Sequence, residues 1–208
     1  MKKVSKAAVI FLGLVTVLNY LPIILTVVYS FNKSKLTSVW EGFSLDWYKM
    51  LFNDGDIKKA LLNSIILAVL TCMLSLVIGV SAALAMRGKK LIFDDFISGF
   101  ASLPIMIPEI ILGMVFMAIF SYMNLPFGFV TMTIAHSSFC VPYIFLIVRA
   151  RLMGMDLSLE EAARDLGASE FETFRDVTLP YILPGIASGL LLSFAMSFDD
   201  VVISIFTT

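Results

Sequence analysis

A single histidine, two cysteines and no Gly-x-x-x-x-Gly-Lys-Ser/Thr sequence leave this chain poorly supplied with residues that bind metals, form disulfides or cradle ATP phosphates. Charge is scarce as well. Only 15% of the 208 residues are Asp, Glu, Lys or Arg, and the formal net charge is −1, so there is no basic footprint for nucleic acid. What the chain has is apolar surface: 59% hydrophobic residues and a mean hydropathy of +0.95. A soluble core cannot hide that much, and the apolar runs exceed the roughly 20 residues a bilayer helix requires.

The chain therefore reads as an all-α polytopic membrane protein. Five spans are predicted at about 7–30, 60–86, 96–120, 127–148 and 181–206, within one transmembrane domain covering 1–208. Lys2, Lys3 and Lys6 precede the first run, as in a signal peptide, but its length and the lack of a small-residue cleavage site predict a retained anchor. With the N-terminus inside, Lys2, Lys3, Lys6, Arg87, Lys89, Lys90, Arg149, Arg151, Arg164 and Arg175 fall on the cytoplasmic side. Lys33, Lys35, Lys49, Lys58 and Lys59 fall outside, so the positive-inside bias sets this orientation. Cys72 and Cys140 lie within spans, where apolar packing is their expected role.

Between the fourth and fifth spans, residues 149–180 form a polar cytoplasmic segment with two helix starts. Ser158 stands three residues before Glu161, and Ser169 three before Glu172, the spacing of capping boxes. Leu159, Ala162, Ala163 and Leu166 share one helical face, and Gly167 supplies a left-handed residue to end that helix. Phe171, Phe174 and Thr178 share a side of the second helix. Helices this short are marginal alone, so a pair with exposed Leu159, Phe171 and Phe174 is expected to pack against a partner.

The spacing Glu161-Ala162-Ala163, three residues, Gly167, nine residues, Val177, one residue, Leu179-Pro180 resembles the EAA loop of ABC importer permeases, with Val177 where Ile is commonest. The whole chain resembles that family, and within it the PotC-type spermidine/putrescine permeases. The likeness runs through Phe31-Asn32, Gly42-Phe43-Ser44-Leu45-Asp46-Trp47-Tyr48, the EAA segment to Phe171, and Ser197-Phe198-Asp199-Asp200-Val201-Val202. The resemblance implies a type I (MetI-like) permease fold in a bacterial cytoplasmic (inner) membrane. Glu161, Ala162, Ala163, Asp165 and Gly167 become residues that dock an ATPase, and no catalytic residue or metal site is expected. The implied assembly holds two ATPase subunits, which bind ATP and magnesium, a second permease, an extracytoplasmic solute-binding protein and membrane lipid. This chain needs no cofactor of its own. Permeases of the polyamine group have six spans. The sequence stops at Thr208 without a charged flank, so a sixth helix is expected to be missing from it.

Glu109, Asp199 and Asp200 are the acidic residues within the predicted spans, where carboxylates are costly unless they face protein, water or a counter-charge. No Lys or Arg falls inside any predicted span, so a cationic solute would supply that charge. With Phe198, whose ring can hold an alkylammonium group, these three are the substrate-path candidates. Two bland readings stand beside that one: Asp199 and Asp200 hydrated near the outer end of the fifth span, and Glu109 capping a helical piece that begins after Pro108. His136, beside Ser137 and Ser138, is expected to make a hydrogen-bonded helix contact. Rival functions are import of an iron complex, thiamine or an opine-like solute, an intramembrane hydrolase built on His136 with Ser137 or Ser138, and a non-transporting scaffold.

Overall fold

The computed structural model of the chain describes residues 5–36, 38–87 and 94–208. Lys2, Lys3, Lys89 and Lys90, used above for orientation, lie outside the described residues. Every element among the described residues is helical apart from one isolated bridge between Asn32 and Phe43. The chain divides into two compact units, Met1–Leu61 and Leu62–Thr208, with the boundary inside a helix.

In the first unit, helix α1 (Lys6–Tyr29) buries no side chain. Its polar residues are satisfied within the helix itself, as lipid requires: Thr16, Asn19 and Thr26 donate to the carbonyls of Leu12, Val15 and Pro22 at 2.8–2.9 Å. The loop that follows is organised by Asn32, which is buried. Its Nδ2 donates to Val39 O at 2.6 Å, its Oδ1 accepts from the Glu41 N–H at 3.0 Å, and its carbonyl accepts from Trp47 Nε1 at 3.0 Å. Phe31 stacks on both Phe43 and Tyr48, each 5.3 Å away by ring centroids. Helix α2 (Asp46–Asn53) leads to α3 (Gly55–Ala85), whose first turn is held by Asp54 Oδ1 accepting from the N–H groups of Asp56 and Ile57.

In the second unit, α4 (Asp94–Met106) and α5 (Glu109–Tyr122) are bent by 102° at a short break, so 96–120 is a bent helix pair rather than one rod. The prolines explain the break: Pro104 lies inside α4 and Pro108 precedes α5 in an extended conformation that helix cannot continue through. Helix α6 (Phe129–Met153) packs closely on α3 and α9 (Leu179–Asp199) through Ile144. A Cβ at Gly79 of α3 would lie 3.0 Å from Ile144 Cβ, and one at Gly189 of α9 would lie 3.3 Å from Ile144 Cα. Small residues let membrane helices approach this closely. Cys72 and Cys140 are free and buried, with their thiols toward the carbonyls of Leu190 and Ser193 on α9.

Between α6 and α9 stand α7 (Ser158–Asp165), α8 (Glu170–Thr173) and a π-helical turn (Phe174–Thr178) that runs directly into α9. Pro180 accounts for that turn. It has no N–H to give to residue 176 and its ring crowds that carbonyl, and a wider turn relieves both. The last element, α10 (Val202–Thr207), follows a break at 200–201, so the predicted span at 181–206 is helix, kink, helix. Helix α10 lies against α5, with Phe206 over Gly113. Among the described residues, four helical stretches are long and apolar enough to cross a membrane, and the bent α4–α5 pair makes a fifth if it counts as one span.

Candidate functional site

The polar lobe, α7 to the π turn, is built largely as its spacing predicts at α8 and differently at α7. At α8 the capping box is present: Glu172 N–H donates to Ser169 Oγ at 3.3 Å, and Ser169 N–H donates to Glu172 Oε2 at 2.8 Å. The Ser169 N–H and hydroxyl, both donating to Glu172 Oε2, hold that carboxyl below the ordinary carboxylate range. Ser158 and Glu161 form no such box, which corrects the first predicted cap. Asp156 takes the role instead, its Oδ1 accepting the Ser158 N–H at 3.0 Å, and the helix begins one residue earlier than a Ser158 cap allows. The same bond holds the Asp156 carboxyl low. Gly167 closes α7 with φ +90°, a conformation that side chains resist.

Glu161, Ala162, Asp165 and Gly167 are exposed, and Ala163 is half-buried. Leu159, Leu166 and Phe171 also face outward, Leu166 at 89% exposure and Phe171 at 69%. Phe174, expected to be exposed, is half-buried. Its side lines a cavity of about 600 Å³ together with Arg87, Leu157, Glu160, Arg164 and Thr173. One residue here, Glu160, carries no signal in the sequence, and neither does its pairing with Arg87 and Thr178. Glu160, not Glu161, is the buried carboxylate. It accepts hydrogen bonds from Arg87 and from Thr178 of the π turn. Arg87 lies 73 residues away along the chain, and no local pattern announces the pairing.

The second site surrounds His136 on α6, which is fully buried. Its Nε2 lies 3.1 Å from Ser204 Oγ and 3.3 Å from Asp200 Oδ2, and its Nδ1 lies 2.9 Å from Ser197 Oγ. A carboxylate only accepts, so a neutral ring carries its proton on Nε2 and accepts from Ser197 at Nδ1. Asp200 also accepts from the backbone N–H groups of Ile203 and Ser204, capping α10. The carboxylate that looked unpartnered in sequence is therefore paired, and its partner is the lone histidine rather than a Lys or Arg. Ser137 and Ser138 are not the histidine's partners. Ser138 donates to the Ala135 carbonyl, and Ser137 is buried with no partner among the described residues.

Asp200 and Phe198 face one cavity of about 590 Å³ with Asn63, Ser64, Met132 and Ser204, and no Lys or Arg lines it among the described residues. Asp199 and Glu109 are not brought into that cavity. Asp199 is the last residue of α9, exposed and without a partner among the described residues, at the helix end where a carboxylate is disfavoured. Glu109 is exposed in the first turn of α5, right after Pro108, where the helix dipole favours it. Phe198 stacks on Phe194 with ring centroids 5.9 Å apart.

Broken and intact apolar spans, an acidic cavity among them and a polar helix pair at one end define a multi-pass membrane transport permease. The chain belongs to the family of binding-protein-dependent transport system inner membrane components, which matches residues 75–208. It is 36% identical over 189 residues to the spermidine/putrescine transport system permease protein PotC of Escherichia coli K12, covering 91% of this chain and 72% of that one. PotC of Haemophilus influenzae is 38% identical over 189 residues, covering 91% and 74%. The putrescine transport system permease protein PotI of E. coli K12 is 35% identical over 196 residues, covering 91% and 70%. The chain is thus a permease subunit of the inner membrane and not an enzyme. Membership implies, in general terms, an ATPase, a partner permease and a binding protein as companions.

Proposed function

We propose that this chain carries polyamines, spermidine or putrescine, into the cell by alternating access, driven by ATP hydrolysed on separate subunits. The observation that carries the cargo assignment is the acidic cavity: Asp200 lies in its wall, no Lys or Arg lines it among the described residues, and Phe198 stands beside the carboxylate. A linear polycation suits it, since an ammonium group can meet the rim of the Asp200 carboxylate or the Phe198 ring and the methylenes find apolar wall. Asp199, left at a helix end without a partner among the described residues, and Glu109 on the bent α4–α5 pair add two carboxylates outside that cavity. The named relatives of this chain transport spermidine or putrescine.

The N-terminus lies in the cytoplasm, and so does the lobe. Glu161, Ala162, Ala163, Asp165 and Gly167 present the lobe to the ATPase, of which two copies serve this chain and a second permease, with ATP and magnesium held by the ATPase. A solute-binding protein delivers cargo from the other side. Closure of the ATPases pushes the lobe, and the π turn passes that push into α9, the helix that carries Asp199 and leads into Asp200.

The test is uptake of labelled spermidine by cells whose only importer contains this chain. Asp199→Asn, Glu109→Gln and Asp200→Asn are each expected to lower uptake about tenfold, the effect of roughly 1.4 kcal/mol at a binding step. Unchanged uptake in all three variants removes the cargo assignment, and unchanged uptake in Asp199→Asn and Glu109→Gln alone confines the cargo contact to the Asp200 cavity.

A further inference from the structure

Arg87 follows α3 by two residues, yet its guanidinium reaches two separate parts of the lobe and the link that leads into it. Nη1 donates to Glu160 Oε1 on α7 and to Thr178 Oγ1 in the π turn, the latter at 3.1 Å, and Nη2 approaches Met155 Sδ in the α6–α7 link at 3.2 Å. The two charged side chains are only 13% and 11% exposed. Glu160 Oε2 is 4.0 Å from Arg164 on its own helix, so the pair is the centre of a small charged network.

We propose that Arg87 is a positioning residue that latches the lobe-side end of α3 to the lobe, so that α3 moves with it during each ATP cycle. The reasoning rests on the reading of this chain as an ATP-driven permease. The lobe is covalently continuous with α6 at its start and with α9 at its end, but not with α3. A push on the lobe reaches α3 at its lobe-side end through Arg87, and farther along through the packing of α6 at Gly79. A buried ion pair is a poor choice for cohesion alone, because the cost of desolvating both charges offsets much of their attraction and apolar side chains pack as well. What it provides is a directed link between defined atoms. The link borders the 600 Å³ cavity rather than a filled core, which leaves the guanidinium room to follow the lobe. Asn63 and Ser64 of the same helix α3 line the acidic cavity, so movement of α3 reshapes the cargo site directly.

The experiment uses the complete importer in proteoliposomes and reads labelled spermidine moved per ATP hydrolysed, with assembled complex quantified in each sample. Arg87→Ala and Glu160→Gln are expected to keep ATP hydrolysis while lowering the ratio about fivefold, and Arg87→Lys, which keeps charge but loses the fork, to fall between. A second readout needs no cargo: alkylation of a cysteine placed on α3 by Leu84→Cys, in protein with Cys72→Ser and Cys140→Ser. Its rate is expected to change on vanadate trapping when Arg87 is present and to stay constant in Arg87→Ala. A wild-type complex that hydrolyses ATP without moving spermidine counts against the cargo assignment alone, and the alkylation arm then decides the latch. The latch is overturned if the ratio and the alkylation response survive in Arg87→Ala, if the loss merely tracks the amount of complex, if the variants fail to assemble, or if no ATPase binds.

Discussion

His136 has no exposed atom, and its two ring nitrogens are engaged by different parts of the molecule: Ser197 on α9 at one, Asp200 in the kink and Ser204 beyond it at the other. Replacing it by Leu leaves the buried Ser197 hydroxyl without its partner, at about 1–3 kcal/mol, and takes one donor from the Asp200 carboxylate, which keeps the Ile203 and Ser204 N–H groups. His136→Leu is therefore expected to lower the thermal unfolding midpoint of the detergent-purified protein clearly, and His136→Gln to lower it less, since an amide retains one donor and one acceptor. Equal midpoints for the two variants defeat this account of the cluster. Glu172 makes a second residue-scale case. Its folded value is depressed by the Ser169 donors, so its contribution is present above its unfolded value and disappears as pH falls through the folded one. Hydrogen exchange of the α8 amides, corrected for intrinsic rates, is expected to show full protection at neutral pH and loss only below the ordinary carboxylate range. Glu172→Gln is expected to show weaker protection at neutral pH and no such step. At this scale legibility follows distance along the chain. Ser169 and Glu172 are three apart and were readable, whereas Arg87 with Glu160 and His136 with Asp200 are joined only by folding. Asp156 displaced Ser158 as a cap because both offer an oxygen within two residues and sequence does not rank them.

Helices α5 and α10 meet where Phe206 covers Gly113, and a Cβ on Gly113 would stand 2.5 Å from Phe206 Cδ2. Gly113→Ala therefore forces either the ring or the whole of α10 to shift, a cost of about 1–3 kcal/mol for an overpacked contact. Because α10 carries Ser204 and is capped by Asp200, its displacement also disturbs the His136 cluster. Unfolding midpoints of Gly113→Ala, Phe206→Leu and the double variant form the check. The double variant is expected to be more stable than the sum of the two single losses, and strict additivity shows that the two residues do not press on one another. The kinked elements were partly readable. Pro104 and Pro108 announced a break in the third apolar run, while the kink at 200–201 has no proline or glycine to mark it and arises from a carboxylate that turns back to cap the next helix. The π turn was hidden for a related reason: Pro180 reads as an ordinary helix start, and only tertiary context keeps the helix running through it.

Across the whole molecule, apolarity alone made the class legible, because that much hydrophobic surface has few places to go but lipid. It does not distinguish surface left for lipid from surface left for protein. The lobe separates the two, since it is rich in charge yet keeps Leu159, Leu166 and Phe171 facing outward. We propose that a protein partner, the ATPase, covers this patch, since it lies on a segment that also carries Arg151, Arg164 and Arg175. Each such side chain covered on docking contributes about 1.5–3 kcal/mol. Leu166→Glu with Phe171→Glu is thus expected to weaken ATPase binding by at least about a hundredfold, the equivalent of roughly 3 kcal/mol. Because both side chains are exposed in the lone chain, the double variant is also expected to fold and insert normally, with wild-type helicity by circular dichroism. Retention of the ATPase through purification at wild-type stoichiometry would mean that the patch is not the docking face, and the push on α9 would then have to enter the permease elsewhere.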